Sequence, residues 1–154
     1  MAQTPSSSIL DAVPPSDKGA ERAVLGSILI DHSRLAEVEA ILKPEAFYVE
    51  DHRILYEHIL TIGKIAIDAT LLLDSLRTAG KLEAVGGPAY IAETLKPEAV
   101  TPLNAIRYAT VIVEQWQKRK MIELNTLALT SLYDGRWKPK DLAKRQIEAL
   151  LRML

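Results

Sequence analysis

Apolar residues recur along this chain at three- and four-residue steps, in blocks punctuated by proline and glycine, a pattern that predicts helices from end to end. Residues 1–13 mix Ser, Thr, Pro and Ala without periodicity and read as a flexible leader ending at Pro14 and Pro15. Ser16 or Asp17 then caps a first helix with Ala20, Val24, Leu25, Ile28 and Leu29 on one face. Gly26 lies inside it. A helix interior disfavours glycine by about 1 kcal/mol, so close packing is the expected compensation. Ser33 caps a second helix bearing Leu35, Val38, Ile41 and Leu42, which stops before Pro44; Phe47 and Tyr48 follow as core plugs. A third helix begins near Asp51, turns Ile54, Leu55, Ile59 and Ile62 inward and ends at Gly63. Asp68 caps a fourth, with Leu72, Leu73 and Leu76 buried and Gly80 at its end. Gly86, Gly87 and Pro88 turn into a fifth carrying Tyr90, Ile91 and Leu95, and residues 96–100 read as loop.

Beyond that loop the pattern lengthens. Thr101 followed by Pro102 is a helix start, and nothing breaks the periodicity until Leu132, giving a rod of roughly 30 residues and about 45 Å. Asp134 and Gly135 make a turn. Pro139 opens a last helix with Leu142, Ala143, Ile147, Leu150, Leu151 and Leu154 at helical steps. The expected fold is therefore all-α: a compact globule of short helices over 14–100, then an antiparallel long-helix hairpin over 101–154. The short arm covers only part of the long one. Trp116, Leu124, Leu127 and Ala128 on one arm, with Leu142, Ile147, Leu150 and Leu151 on the other, are thus candidate contacts to another chain. The apolar pattern is still running at Leu154, as in a segment of a longer polypeptide.

Composition narrows the class. The 154 residues include no cysteine, which excludes disulfides and thiolate metal sites. No window reaches the roughly 18 apolar residues of a membrane span, and the amino terminus lacks a basic signal region, so a cytoplasmic protein with no membrane partner is expected. Net charge is −1, but it is unevenly spread: residues 1–114 hold 10 Lys+Arg against 16 Asp+Glu, and residues 115–154 hold 9 against 4. The tail is basic and the head acidic. Lys118, Arg119, Lys120, Lys138, Lys140, Lys144 and Arg145 are candidates for phosphate contacts that read no base sequence. The competing reading is a solvated face, partly neutralised by Glu114–Lys118 and Arg119–Glu123 pairs.

No catalytic constellation emerges. Gly63-Lys64 lacks the earlier glycine of a phosphate loop and has Ile65 where a magnesium-binding hydroxyl would stand, so it reads as a helix end. Asp51, His52, Glu57 and His58 have no metal-ligand spacing; His52 and Arg53 read as capping and solvating the third helix, and His32 as a turn residue. A duplex-reading helix is disfavoured, because residues 34–42 hold one arginine against two glutamates and residues 69–79 a single arginine.

Over residues 14–132 the chain resembles the amino-terminal domain of the DnaB-type replicative DNA helicases of bacteria and their phages. The resemblance is carried by Pro14-Pro15, Glu21, Val24-Leu25-Gly26, Asp31, Phe47-Tyr48 and His52-Arg53, then Ile67-Asp68, Leu76, Gly80 and Val85-Gly86-Gly87, then Tyr90, Asn104, Tyr108-Ala109 and Arg119, in that order and spacing. It implies a non-catalytic helical globule and hairpin, with hairpins of neighbouring subunits pairing into dimers and a hexameric collar built as a trimer of dimers. It also implies primase and a helicase loader as partners, guidance of single-stranded DNA, and no cofactor here, ATP and Mg belonging to a separate carboxy-terminal motor. Ala46, Gly19 and the unusually basic last helix depart from the pattern and leave the hairpin's partner open. The alternative is a stand-alone adaptor or inhibitor that mimics the collar; continuation past Leu154 into a phosphate-loop domain separates the two.

Overall fold

The structure, a computed structural model, describes residues 12–63, 67–96 and 101–153. Among these there are seven α-helices and no strand. They are α1 (Lys18–Ile30), α2 (Leu35–Ile41), α3 (Glu50–Ile62), α4 (Ala69–Thr78), α5 (Gly87–Thr94), α6 (Ala105–Tyr133) and α7 (Pro139–Leu151). Most of the leader, Lys64 to Ala66, the end of the 96–100 loop and Leu154 lie outside the described residues.

The chain divides into two compact units, Ser16–Trp116 and a second comprising Gln117–Leu154 with Met1–Pro15. The division falls inside α6, whereas the sequence pattern placed it near residue 100. Ala105, Ala109 and Ile112 are buried members of the globule's core, so the helix's first turns serve that core.

Local signals explain where the short helices start and stop. Asp17 Oδ1 accepts from the Ala20 N–H at 2.8 Å and Asp68 Oδ1 from the Leu71 N–H at 2.8 Å, each satisfying a first-turn donor. Asp31, not Ser33, caps the entry to α2: it accepts from the Ser33 N–H at 3.1 Å and opens a single 3-10 turn, His32–Arg34, that feeds the helix. Gly80 ends the α4 segment at φ +66°. Gly86, at φ +92°, is required twice over, since a Cβ there would stand 2.7 Å from Tyr90 Cγ.

Inside the globule Val24, Leu25, Ile28, Val38, Leu42, Leu55, Ile59, Leu72, Leu76 and Ile91 form one apolar cluster, each side chain contributing about 1.5–3 kcal/mol by leaving water. Ile41 and Tyr48, expected in that core, are instead exposed. Tyr56 takes the place of a plug: it is fully buried, stacks tilted on Phe47 at 5.0 Å and donates its hydroxyl to Leu42 O at 3.0 Å. Burial pushes that phenol well above the ordinary tyrosine range.

The globule's core also encloses a polar node. Glu21, 1% exposed, accepts from the Tyr48 N–H at 2.6 Å, the Val49 N–H at 3.2 Å and His52 Nδ1 at 2.8 Å. One carboxylate from α1 thus ties down the chain entering α3. His52 is buried by this bond, contrary to the capping and solvating role its sequence position suggested. Arg53 does face outward, paired with Glu50 and Glu57.

Candidate docking hairpin

The second unit is built on the remainder of α6 and on α7. Beyond Tyr133 the chain turns through Gly135, at φ +65°, and Pro139 occupies the first position of α7, where its missing N–H costs nothing. Gln117 Nε2 donates to Met153 O at 3.2 Å, so the far end of α7 lies beside the start of this part of α6 and the arms run antiparallel. Arg119 Nη1 donates to Pro15 O at 2.7 Å within the same unit.

The arms are not closed on each other. None of the residues of α7 is buried, and an open groove of about 630 Å³ runs between the helices. Leu124, Leu127, Ala128, Leu142 and Ala149 line its floor, and Arg136, Arg145 and Arg152 stand along it with Glu148. Arg145 lies over the Trp137 ring at 4.0 Å from its centroid.

A second apolar surface lies elsewhere on both arms. Ile147 is 57% exposed and Leu151 65%, with Leu150 beside them; on α6, Ile122 is 53% and Leu129 44% exposed. At roughly 100° per residue these stripes sit about 150° around each helix from the groove-lining residues, turned away from the groove. Leu127, Arg145 and Arg152 lie on the groove side of their helices.

The eight residues read from sequence as one contact surface are therefore split three ways. Ile147, Leu150 and Leu151 lie on the open apolar face, while Leu124, Leu127, Ala128 and Leu142 line the groove. Trp116 is in the globule, packed against its core, where its indole N–H is buried without a hydrogen-bond partner. Ile122 and Leu129 were missed. Seven residues apart, they belong to no stripe read from the sequence.

The basic candidates also divide. Lys118, Lys138, Lys140 and Lys144 are exposed, whereas Lys120 pairs with Glu123 at 2.8 Å and Arg119 and Arg145 make the contacts given above. It is Lys120, not Arg119, that engages Glu123. Residues 117–154 carry 9 Lys+Arg against 4 Asp+Glu, and residues 16–116 carry 10 against 15.

Other titratable groups are engaged inside the globule. His58 Nδ1 lies 2.9 Å from Ser75 Oγ across the α3–α4 contact, and burial, reinforced by Lys81, lowers its pKa. Among the described residues no group of three His, Asp or Glu is gathered as a metal site, and no helix is long and apolar enough to cross a membrane.

An all-α globule followed by a helical hairpin is thus what the chain forms. It belongs to the DnaB-like helicase N terminal domain family, which matches residues 13–114. Two curated relatives are each named replicative DNA helicase DnaB. That of Rhodothermus marinus is 33% identical over 124 residues, 79% of this chain and 13% of the relative. That of Leifsonia xyli subsp. xyli is 30% identical over 118 residues, 75% of this chain and 26% of the relative. The chain therefore spans only a small part of the relatives it matches.

Solved structures agree. The crystal structure of the N-terminal domain of DnaB helicase from Mycobacterium tuberculosis is similar at a TM-score of 0.80 and 28% identity, covering 90% of this chain and 99% of that one. Coverage so high cannot be met by leader and globule alone, so the likeness extends into the hairpin. A DnaB-like replicative helicase, described together with its interactions with primase, is similar at a TM-score of 0.70 and 26% identity, over 87% of this chain and 31% of that one. The resemblance read from the sequence and the all-α fold class both hold.

Proposed function

We propose that this chain is a non-catalytic domain of a cytoplasmic replicative DNA helicase, joining subunits into a collar and receiving primase or a helicase loader. The observation that carries the reading is the hairpin's open apolar face, where Ile122, Leu129, Ile147, Leu150 and Leu151 remain uncovered in the single chain. A two-fold pair would bring ten such side chains together. At about 1–2 kcal/mol for each half-exposed Ile or Leu, their burial is comparable with the roughly 4–15 kcal/mol that association costs in rigid-body freedom. Self-pairing of one face gives a closed two-fold dimer, and three such pairs can make a hexamer.

Primase as a partner is carried over from the relative described with its primase interactions, and the loader from the family resemblance. Lys118, Lys138, Lys140 and Lys144 supply positive charge for non-specific contacts to single-stranded DNA. ATP, Mg and unwinding belong in this reading to a motor domain elsewhere in the full-length protein, and this domain needs no cofactor of its own. Sedimentation velocity over a concentration series tests it. Dimers or larger species growing with concentration are expected; a monomer at the highest concentration overturns the assembly role.

A further inference from the structure

The groove between the hairpin arms lies on the face opposite the apolar stripe, and its chemistry is different. Its floor is aliphatic, from Leu124, Leu127, Leu142 and Ala149, while Arg136, Arg145 and Arg152 line it against a single acidic residue, Glu148. From Leu142 to Arg152 it is about 15 Å long, the rise of roughly three helical turns. Arg145 is stacked on Trp137, which holds the guanidinium plane without using its N–H donors. Arg136 is tied to Asp134 at 2.9 Å, with its fork still largely exposed.

We propose that this groove binds an acidic amphipathic helix of a partner protein, with Leu-type side chains on the floor and carboxylates on Arg145 and Arg152. The inference deepens the docking part of the proposed function and stands apart from self-pairing, because the two surfaces are on opposite faces. Charge selects the occupant. The unit's 9 basic residues against 4 acidic ones attract carboxylates and oppose a second copy of the same hairpin in the groove. The apolar floor selects a peptide over nucleic acid, since a phosphate backbone has nothing to bury there. Anchors at i, i+3, i+4 and i+7 with acidic residues between them match such a trough.

The test uses the whole chain and a labelled helical peptide of about 14 residues, Leu at those spacings and Glu elsewhere, followed by fluorescence anisotropy. Saturable binding is expected, weakened about tenfold or more by Arg145→Glu with Arg152→Glu, and unchanged by Ile147→Asp with Leu151→Asp. A peptide with Lys in place of Glu should not bind the wild type. Circular dichroism checks the fold; if the double reversal lowers helicity, Arg145→Gln with Arg152→Gln replaces it, with weakening again expected. Equal binding of the Glu and Lys peptides, or no loss in the arginine variants, overturns the proposal. So does displacement of the peptide by oligo-dT at lower concentration than by unlabelled peptide, which makes the groove a nucleic-acid site. Dispersal of the assembly by the arginine variants also overturns it, because a second copy then occupies the groove. A monomeric wild type that still binds the Glu peptide refutes self-pairing and leaves the groove standing.

Discussion

The globule and the hairpin are built from similar residues put to opposite use. In the globule, most leucines and isoleucines are covered by their own chain, and even a carboxylate, Glu21, is taken inside with its acceptor capacity met by two backbone N–H groups and a histidine. In the hairpin, helices just as regular leave Ile122, Leu129, Ile147 and Leu151 about half exposed to water and keep an open groove between the arms. Helical periodicity alone does not distinguish the two. What differs is whether the apolar stripe meets a partner within the same molecule; where it does not, the stripe stays open to water.

That contrast makes substitutions in the globule stability experiments. The largest effect is expected at Glu21. Glu21→Ala removes the acceptor shared by the Tyr48 and Val49 N–H groups and the buried His52, for a loss of about 3 kcal/mol in urea unfolding. A loss below about 1 kcal/mol would mean that water replaces the carboxylate and the node is peripheral. Gly86→Ala comes next, at about 1–3 kcal/mol, since it adds a Cβ at φ +92° that meets the Tyr90 ring. Pairing the change with Tyr90→Ala should recover the steric part of the loss and not the backbone part.

The smallest effect is a pH dependence. His58 has its pKa lowered in the fold, chiefly by burial, with Lys81 opposing protonation and Glu57 favouring it. The unfolded chain therefore takes up this proton more readily than the folded one. The contribution is fully present above the unfolded value near pH 6.5 and is lost as pH falls below it, through the folded pKa. Thermal melts between about pH 7.5 and 5 should show stability declining more steeply in the wild type than in His58→Gln. Parallel curves would remove His58 from the account.

Much of the fold could be read beforehand because its signals are local. Asp17 and Asp68 as caps, Gly80 and Gly86-Gly87 as turns, and Pro139 as a helix start act within four residues of themselves. Polar residues buried by tertiary partners could not be read the same way. Glu21 and His52 are 31 positions apart, and each alone looks like a solvent-facing residue of a helix. Tyr56 was overlooked for a related reason, as its hydroxyl is satisfied by a carbonyl 14 residues away. At the hairpin, the sequence pattern merges into one surface residues that the structure divides between a groove and an exposed stripe. A helical wheel shows two apolar sectors on each arm without saying which one turns toward the other arm.

The hairpin's open face is the central claim, and one paired measurement addresses it. Ile147→Asp with Leu151→Asp, both mostly exposed on a helix with no buried residue, should leave the unfolding free energy at low protein concentration within about 0.5 kcal/mol of the wild type. The same variant should sediment as a monomer at concentrations where the wild type is a dimer or larger. An unchanged sedimentation profile, or a monomer that has lost its helicity as well, would contradict the account.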